Sequence, residues 1–166
     1  MASAGSWKWS LPWRHGLKSL HILVAAMWMG SAACLVLIAR PGVSGDVVAS
    51  MQLATHIDDW LLVPSAVFVF ITGVLYGFYT KWGFVRFRWV IVKWLVSVLS
   101  LGFGALFLGP WIETLAALSQ ELGVDVHQNT TFETLRARVF MYGGIQFVVL
   151  ASLVPVSVYK PWGRRS

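Results

Sequence analysis

Four apolar runs divide the chain, at about 20–39, 60–79, 87–109 and 139–159. Each is close to the ~20 residues that cross roughly 30 Å of hydrocarbon at 1.5 Å per residue. The third, FRWVIVKWLVSVLSLGFGALFLGP, carries Lys93 well inside the apolar stretch. Ser97, Ser100 and Gly104 follow it at i+4, i+7 and i+11, on one helical stripe. That stripe is predicted to face other helices, and the Val, Ile, Leu, Phe and Trp faces to meet lipid.

The segments between the runs carry the punctuation. Arg40, Pro41 and Gly42 stop the first run, and an amphipathic stretch covers 46–57. Asp58 and Asp59 lead into the second, where a carboxylate suits a helix N-terminus. Pro64 falls in the first turns, where a missing N–H costs little. Gly109-Pro110 ends the third run, and WIETLAALSQEL beyond it reads as a helical extension that breaks at Gly123. Thr130 and Glu133 have the spacing of a capping box that restarts the helix. The predicted fold is all-α: a polytopic membrane protein with four transmembrane helices in a bundle and both termini cytoplasmic. Residues 1–19 form a Trp-rich interfacial segment, with Trp7, Trp9 and Trp13 among Lys8, Arg14 and Lys18. Residues 20–159 are the transmembrane domain and 160–166 a basic cytoplasmic tail.

Composition agrees: of 166 residues 57% are hydrophobic and 12% charged, against about 25% charged in soluble domains. The polar start and the lack of a small-x-small site predict no cleavable signal peptide. Cys34 is the single cysteine, so no disulfide framework exists. A net charge of +6 invites nucleic acid, but the cations sit at helix ends, where they set topology. Lys8, Arg14, Lys18, Lys81, Arg86, Arg88, Lys160, Arg164 and Arg165 fall on one side of a four-span arrangement, and only Arg40, Arg136 and Arg138 on the other. All seven acidic residues share that second side. The positive side is cytoplasmic by this rule.

Small residues mark close helix approach: Ala26, Gly30 and Ala33 in the first span, Gly73 and Gly77 in the second. Polar side chains gather near the cytoplasmic ends. His21 lies roughly 5 Å inside Lys18, and Lys93 roughly 9 Å inside Phe87. Tyr76 and Tyr79 share a helical face with Ser65 and Thr72, and Gln146 sits nearer mid-span. His21, Lys93, Tyr76 and Tyr79 are thus candidates to line one cavity open to the cytoplasm. The competing accounts are a hydrated helix-end histidine, a lysine snorkelling to headgroups, and tyrosines of the aromatic belt. Trp28, in mid-span, reads as packing.

At the other face, His56, Asp58, Asp59, Glu113, His127 and Glu133 gather imidazoles and carboxylates, but in no established ligand spacing. A solvated acidic loop without stoichiometric metal is expected there. His56 and His21 lie at opposite faces and cannot clamp one haem as an axial pair.

LKSLHILVAAMWMG, residues 17–30, and WVIVKWLVSVL, residues 89–99 with a Trp-x-x-x-Lys pattern, resemble helices of small bacterial membrane proteins related to the J-type protoporphyrinogen oxidase and the copper-resistance D proteins. Thr72-Gly73 and Gly109-Pro110 resemble motifs of an uncharacterised four-helix branch of integral membrane proteins. The likeness covers most of residues 17–111. It implies a membrane-embedded b-type haem or porphyrin, with His21 as a metal ligand and Lys93 as a functional neighbour. One departure bears on ligation: the oxidase-type proteins carry a second helix-embedded histidine after the lysine, and residues 94–110 contain none.

The expectation is therefore a haem- or porphyrin-binding membrane protein in a redox role, with His21, Lys93 and Tyr76 at the cofactor. Lys93 would pair with a propionate. The lipid bilayer and a membrane redox partner would be its surroundings. Alternatively the chain is a non-catalytic subunit of a larger membrane complex, or a homo-oligomer, since small residues and aromatic flanks serve packing equally well. A permease fed by the acidic cluster would need oligomerisation, because four spans leave little room for a pore.

Overall fold

The computed structural model describes residues 11–42, 45–79 and 87–159, without the side chains of Leu11, Pro12, Arg14 and Tyr79. Trp7, Trp9, the 80–86 loop and the basic tail lie outside the described residues, as does the side chain of Tyr79. Helix α1 is Leu11–Ile38. Helix α2, Val47–Ile57, runs through a π-helical turn, Asp58–Leu62, into α3, Val63–Tyr79. Helix α4, Arg88–Phe103, likewise passes through a π turn, Gly104–Leu108, into α5, Gly109–Leu122. A 3₁₀ turn, Gly123–Gln128, leads to α6, Thr130–Tyr159.

The four predicted spans are present as four helices long and apolar enough to cross a membrane, and the chain is an all-α four-helix bundle with the start of α1 and the end of α6 at one end. Large apolar side chains such as Leu23, Phe68, Leu99 and Val148 stay exposed on its outside. In water so wide an apolar surface would be a liability; against lipid tails it is the expected coat.

All four helices outrun the hydrocarbon, the second and third by the most. Val47–Phe78 has 32 residues, about 48 Å of helix against roughly 30 Å of hydrocarbon. The amphipathic 46–57 stretch is thus continuous with the second span, and the third helix does not stop at Gly109-Pro110. Proline lacks an N–H, and its ring meets the carbonyl four residues back, which is why it was expected to mark a helix edge. Both internal junctions solve this in the same way. Val63 N–H bonds Asp58 O and Gly109 N–H bonds Gly104 O. These i→i−5 bonds open one wide turn just before Pro64 and Pro110, and the helix proceeds.

The overhanging parts form a cap on the far end of the bundle. Leu115, Val126 and Phe132 are almost wholly enclosed there, with Met51, Ala54, Ile112 and Val139 around them. Gly123, at φ +54°, ends α5 as the sequence indicated. The restart of α6 differs from the expected capping box. Asn129 is the N-cap and its Oδ1 accepts from Phe132 N–H at 3.0 Å, while Glu133 turns to His127 at 2.9 Å. Asparagine one position earlier is at least as good a cap as threonine.

Along the membrane part, α1 packs between α3 and α6, α4 packs on α6, and α2 closes the ring on α5 at the capped end. Leu17, Val24, Trp28, Ser31 and Leu35 form the buried face of α1. Trp28 is packing, as read, against Ala66, Leu150 and Leu153. Ala26 and Gly30, expected at a close approach, face outward instead, and open space surrounds Gly30. Close approach of α1 and α6 uses Gly143, where an added Cβ would stand 3.3 Å from Val36 Cγ2.

Candidate functional site

The end of the bundle at which α1 starts and α6 finishes holds the polar side chains singled out in the sequence. His21 enters from α1 and Thr72 from α3, with Nδ1 and Oγ1 2.8 Å apart. The threonine has one proton; with it assigned to Phe68 O at 2.7 Å, Val69 O being at 3.1 Å, the hydroxyl accepts and Nδ1–H donates. A neutral His21 then carries its lone pair on Nε2. This is the arrangement in which an imidazole is oriented for use as a ligand or base, its other nitrogen being fixed from behind.

Gly73, the next residue on α3, faces two rings. A Cβ placed there would lie 3.7 Å from His21 Cε1 and 3.9 Å from Trp94 Cη2, so the imidazole and the α4 indole converge on the same point of α3. Phe70 meets Trp94 edge-to-face at 5.4 Å. These aromatics span the seam between α3 and α4, whose backbones are not close neighbours. Tyr76 is half-buried one turn beyond Thr72, on the same face.

Lys93 lies close enough to His21 for their charges to interact. Its hydrogen bond goes elsewhere, from Nζ to Ser157 Oγ on α6 at 2.8 Å. Ser157 donates in turn to Leu153 O at 2.6 Å, repeating the device of Thr72: a hydroxyl spends its proton on its own helix and offers a lone pair to the functional group. The rest of the lysine stripe packs as expected. Ser97 is half-buried, Ser100 is buried, and Gln146 Nε2 is 3.5 Å from where a Cβ would sit on Gly104. Residue faces put Thr72 on the right side of α3, but neither Thr72 nor Ser157 was identified as a partner. Their spacing to His21 and Lys93, 51 and 64 residues, leaves no local pattern to find.

Thus His21, Lys93 and Tyr76 occupy one end of the bundle, with Thr72 and Trp94 between them. A cation at this end has no carboxylate to meet, because all seven acidic residues belong to the cap and its junctions. The far-face group does not converge. His56 Nδ1 bonds Gln52 O at 2.8 Å, His127 pairs with Glu133, and Asp58 Oδ2 lies beside Gly109. Among the described residues no three His, Cys, Asp or Glu side chains come together as metal ligands. No protein-family model, curated protein or solved structure matches the chain.

Proposed function

We propose that this is a small multi-pass membrane protein of the bacterial inner membrane that binds b-type haem or a related porphyrin in a redox role. The observation that carries the proposal is the Thr72 contact, which holds the half-buried His21 imidazole by Nδ1 beside Trp94 and would leave Nε2 for a metal. A porphyrin is a flat apolar anion, and the residues present are complementary to one. His21 would ligate the metal, Trp94 and Phe70 would offer ring contacts, and Lys93 would pair with a propionate that nothing acidic in the chain replaces. The metal would supply one-electron chemistry. Among the described residues this end holds one other histidine, the exposed His15 on α1, so His21 is the half-buried histidine that would hold the metal.

The test is the absorbance of the purified protein. A Soret band in the unmutated chain, lost in His21→Ala and weakened in Lys93→Gln, is the expected result. A colourless wild-type protein purified from haem-replete cells would reject the proposal. The second reading, a catalytically silent subunit of a larger membrane complex, draws on a specific observation: Lys93 already finds a partner within the chain, in Ser157. A haem-free protein that co-purifies with other membrane proteins would favour it. Orientation rests on the nine-to-three distribution of flanking Lys and Arg. Single cysteines at Gly83 and Gly123, in a Cys34→Ala background, should label from the cytoplasmic and the outer side respectively. Labelling from one side only is incompatible with this topology.

A further inference from the structure

The outward faces of the bundle change character at one level. Towards the His21 end the exposed side chains are apolar, among them Leu61, Val67, Phe68, Leu99, Leu106 and Val148. On the cap most of them are polar: Gln52 and His56 on α2, Glu113, Gln120 and Glu121 on α5, and Thr134 on α6. Aromatic side chains stand at the change. Trp60, in the first π turn, is 76% exposed, too open to be accounted for by packing. Phe107, in the second π turn, lies 6.0 Å from Trp111 by ring centroids, and Trp111 lies 5.8 Å from Tyr142 on α6. Phe107 and Tyr142 are exposed on the outside of the bundle.

Two contacts put these aromatics at one height. Gln146 Nε2 is 3.5 Å from where a Cβ would sit on Gly104, and Asp58 Oδ2 is 3.7 Å from the same point on Gly109. Phe107 and Tyr142 each lie about one turn from the first contact, both towards the cap. Trp60 and Phe107 lie just short of the second, both towards the His21 end. From Trp60 to Phe78 is ~27 Å of helix and from Tyr142 to Tyr159 ~26 Å, close to the roughly 30 Å of hydrocarbon. Beyond Trp111, α5 continues for ~16 Å.

We propose that Trp60, Phe107, Trp111 and Tyr142 form an interaction surface for the lipid headgroups of the cap-side leaflet, and that the cap stands beyond them in water. Indoles and phenols collect at this depth because the ring meets hydrocarbon while the N–H or O–H meets the polar region. Arg138, exposed one turn beyond Tyr142, is placed for its guanidinium to lie among the headgroups. A bilayer edge at the far end of the cap would instead put the exposed Glu113 and Glu121 carboxylates in hydrocarbon, at a cost of several kcal/mol in the helix interior of a membrane (~2.5–3.5 for an acid at the centre). The placement holds in either orientation of the chain and with or without haem.

Spin labels on single cysteines test it, in the full-length protein with Cys34→Ala, reconstituted in vesicles of phosphatidylcholine and phosphatidylglycerol. Val148→Cys, Leu61→Cys, Ala117→Cys and Thr134→Cys all place the label at exposed positions, so the packing of the bundle is left intact. Each label is relaxed by oxygen, which concentrates in hydrocarbon, and by a nickel chelate, which stays in water. The logarithm of the oxygen-to-nickel ratio should be positive at Val148, close to zero at Leu61 and negative at Ala117 and Thr134. Positive values at Ala117 and Thr134 would put the cap inside the bilayer and overturn the proposal. A change of sign more than one helical turn from Leu61 would detach the aromatics from the boundary, and would overturn it as well.

Discussion

Phe132 and His21 stand at opposite ends of the same bundle, and their surroundings differ in kind. Phe132 has no exposed surface and lies in a core fed by α1, α2, α5 and α6, closed by α2 against α5. His21 is half-buried, at an end where the helix ring stays open between α3 and α4 and aromatic side chains fill the seam. The cap is held as a soluble protein is held, by apolar area removed from water and tightly packed. The membrane part cannot gain that way, since lipid tails are as apolar as leucine, and it relies on close approach and a few interhelical hydrogen bonds. The far end is thus a packed core, whereas the His21 end is tied by side-chain hydrogen bonds between helices, His21 with Thr72 and Lys93 to Ser157.

The sharpest way to break this contrast is to empty the cap. Phe132→Ala should destabilise by about 3–5 kcal/mol, as cavity-forming truncations do, whereas Phe68→Ala, on the exposed face of α3, should lose far less. Unfolding in detergent, followed by tryptophan fluorescence, measures both. Equal losses would mean that the cap is not the mechanical anchor.

A smaller effect is expected in the membrane part. Gly143→Val forces a Cβ to within 3.3 Å of Val36 and should cost about 1–3 kcal/mol. At Gly30 an added Cβ meets nothing within 4 Å, and Gly30→Val should be tolerated. The reverse ranking in the same unfolding assay would restore the small-residue face of α1 as the packing surface.

These pairs also show what was legible beforehand. The four spans could be read because apolar length alone reports a bilayer crossing. The cap could not, because α2 and α5 are amphipathic extensions of spans, and hydropathy registers only the 30 Å that must be apolar. Pro64 and Pro110 read as helix edges because the rule is local, and the π turns that carry the helix past them have no sequence signature. Gly30 and Gly143 look alike in sequence; which one meets a neighbour depends on helix rotation. Arg136 was counted only as a flanking cation. Yet Phe132, Arg136 and Val139 fall at i, i+4 and i+7, and all three are buried, so that spacing would have placed the arginine on the inward face. The His21 end was half legible: residue type and depth marked His21, Lys93 and Tyr76, but not the hydroxyls that orient them.

A still smaller loss, of about 1 kcal/mol, is expected on removing the α6 cap in Asn129→Ala, which strands the Phe132 N–H. Thr130→Ala should cost less. If Thr130→Ala were the more damaging in thermal unfolding, the expected capping box would be the working one after all.

The least costly substitution for the fold is the most informative about the open end. Thr72→Val preserves shape and removes the hydroxyl that accepts from His21 Nδ1. The stability lost should be about 0.5–1.5 kcal/mol, the net worth of one hydrogen bond, because a half-buried imidazole can recover a partner from water. Its tautomer should change more than its stability. With the Thr72 proton on Phe68 O, the wild-type ring should carry its proton on Nδ1 and leave Nε2 bare. In the valine variant nothing enforces that choice, and both neutral forms should be populated. Nitrogen-15 chemical shifts of the labelled His21 ring, recorded at a pH where it is neutral, separate the two directly, whether or not haem is present. An unchanged tautomer in Thr72→Val would mean that something other than this hydroxyl orients the ring, and the principal support for His21 as a ligand would fall with it.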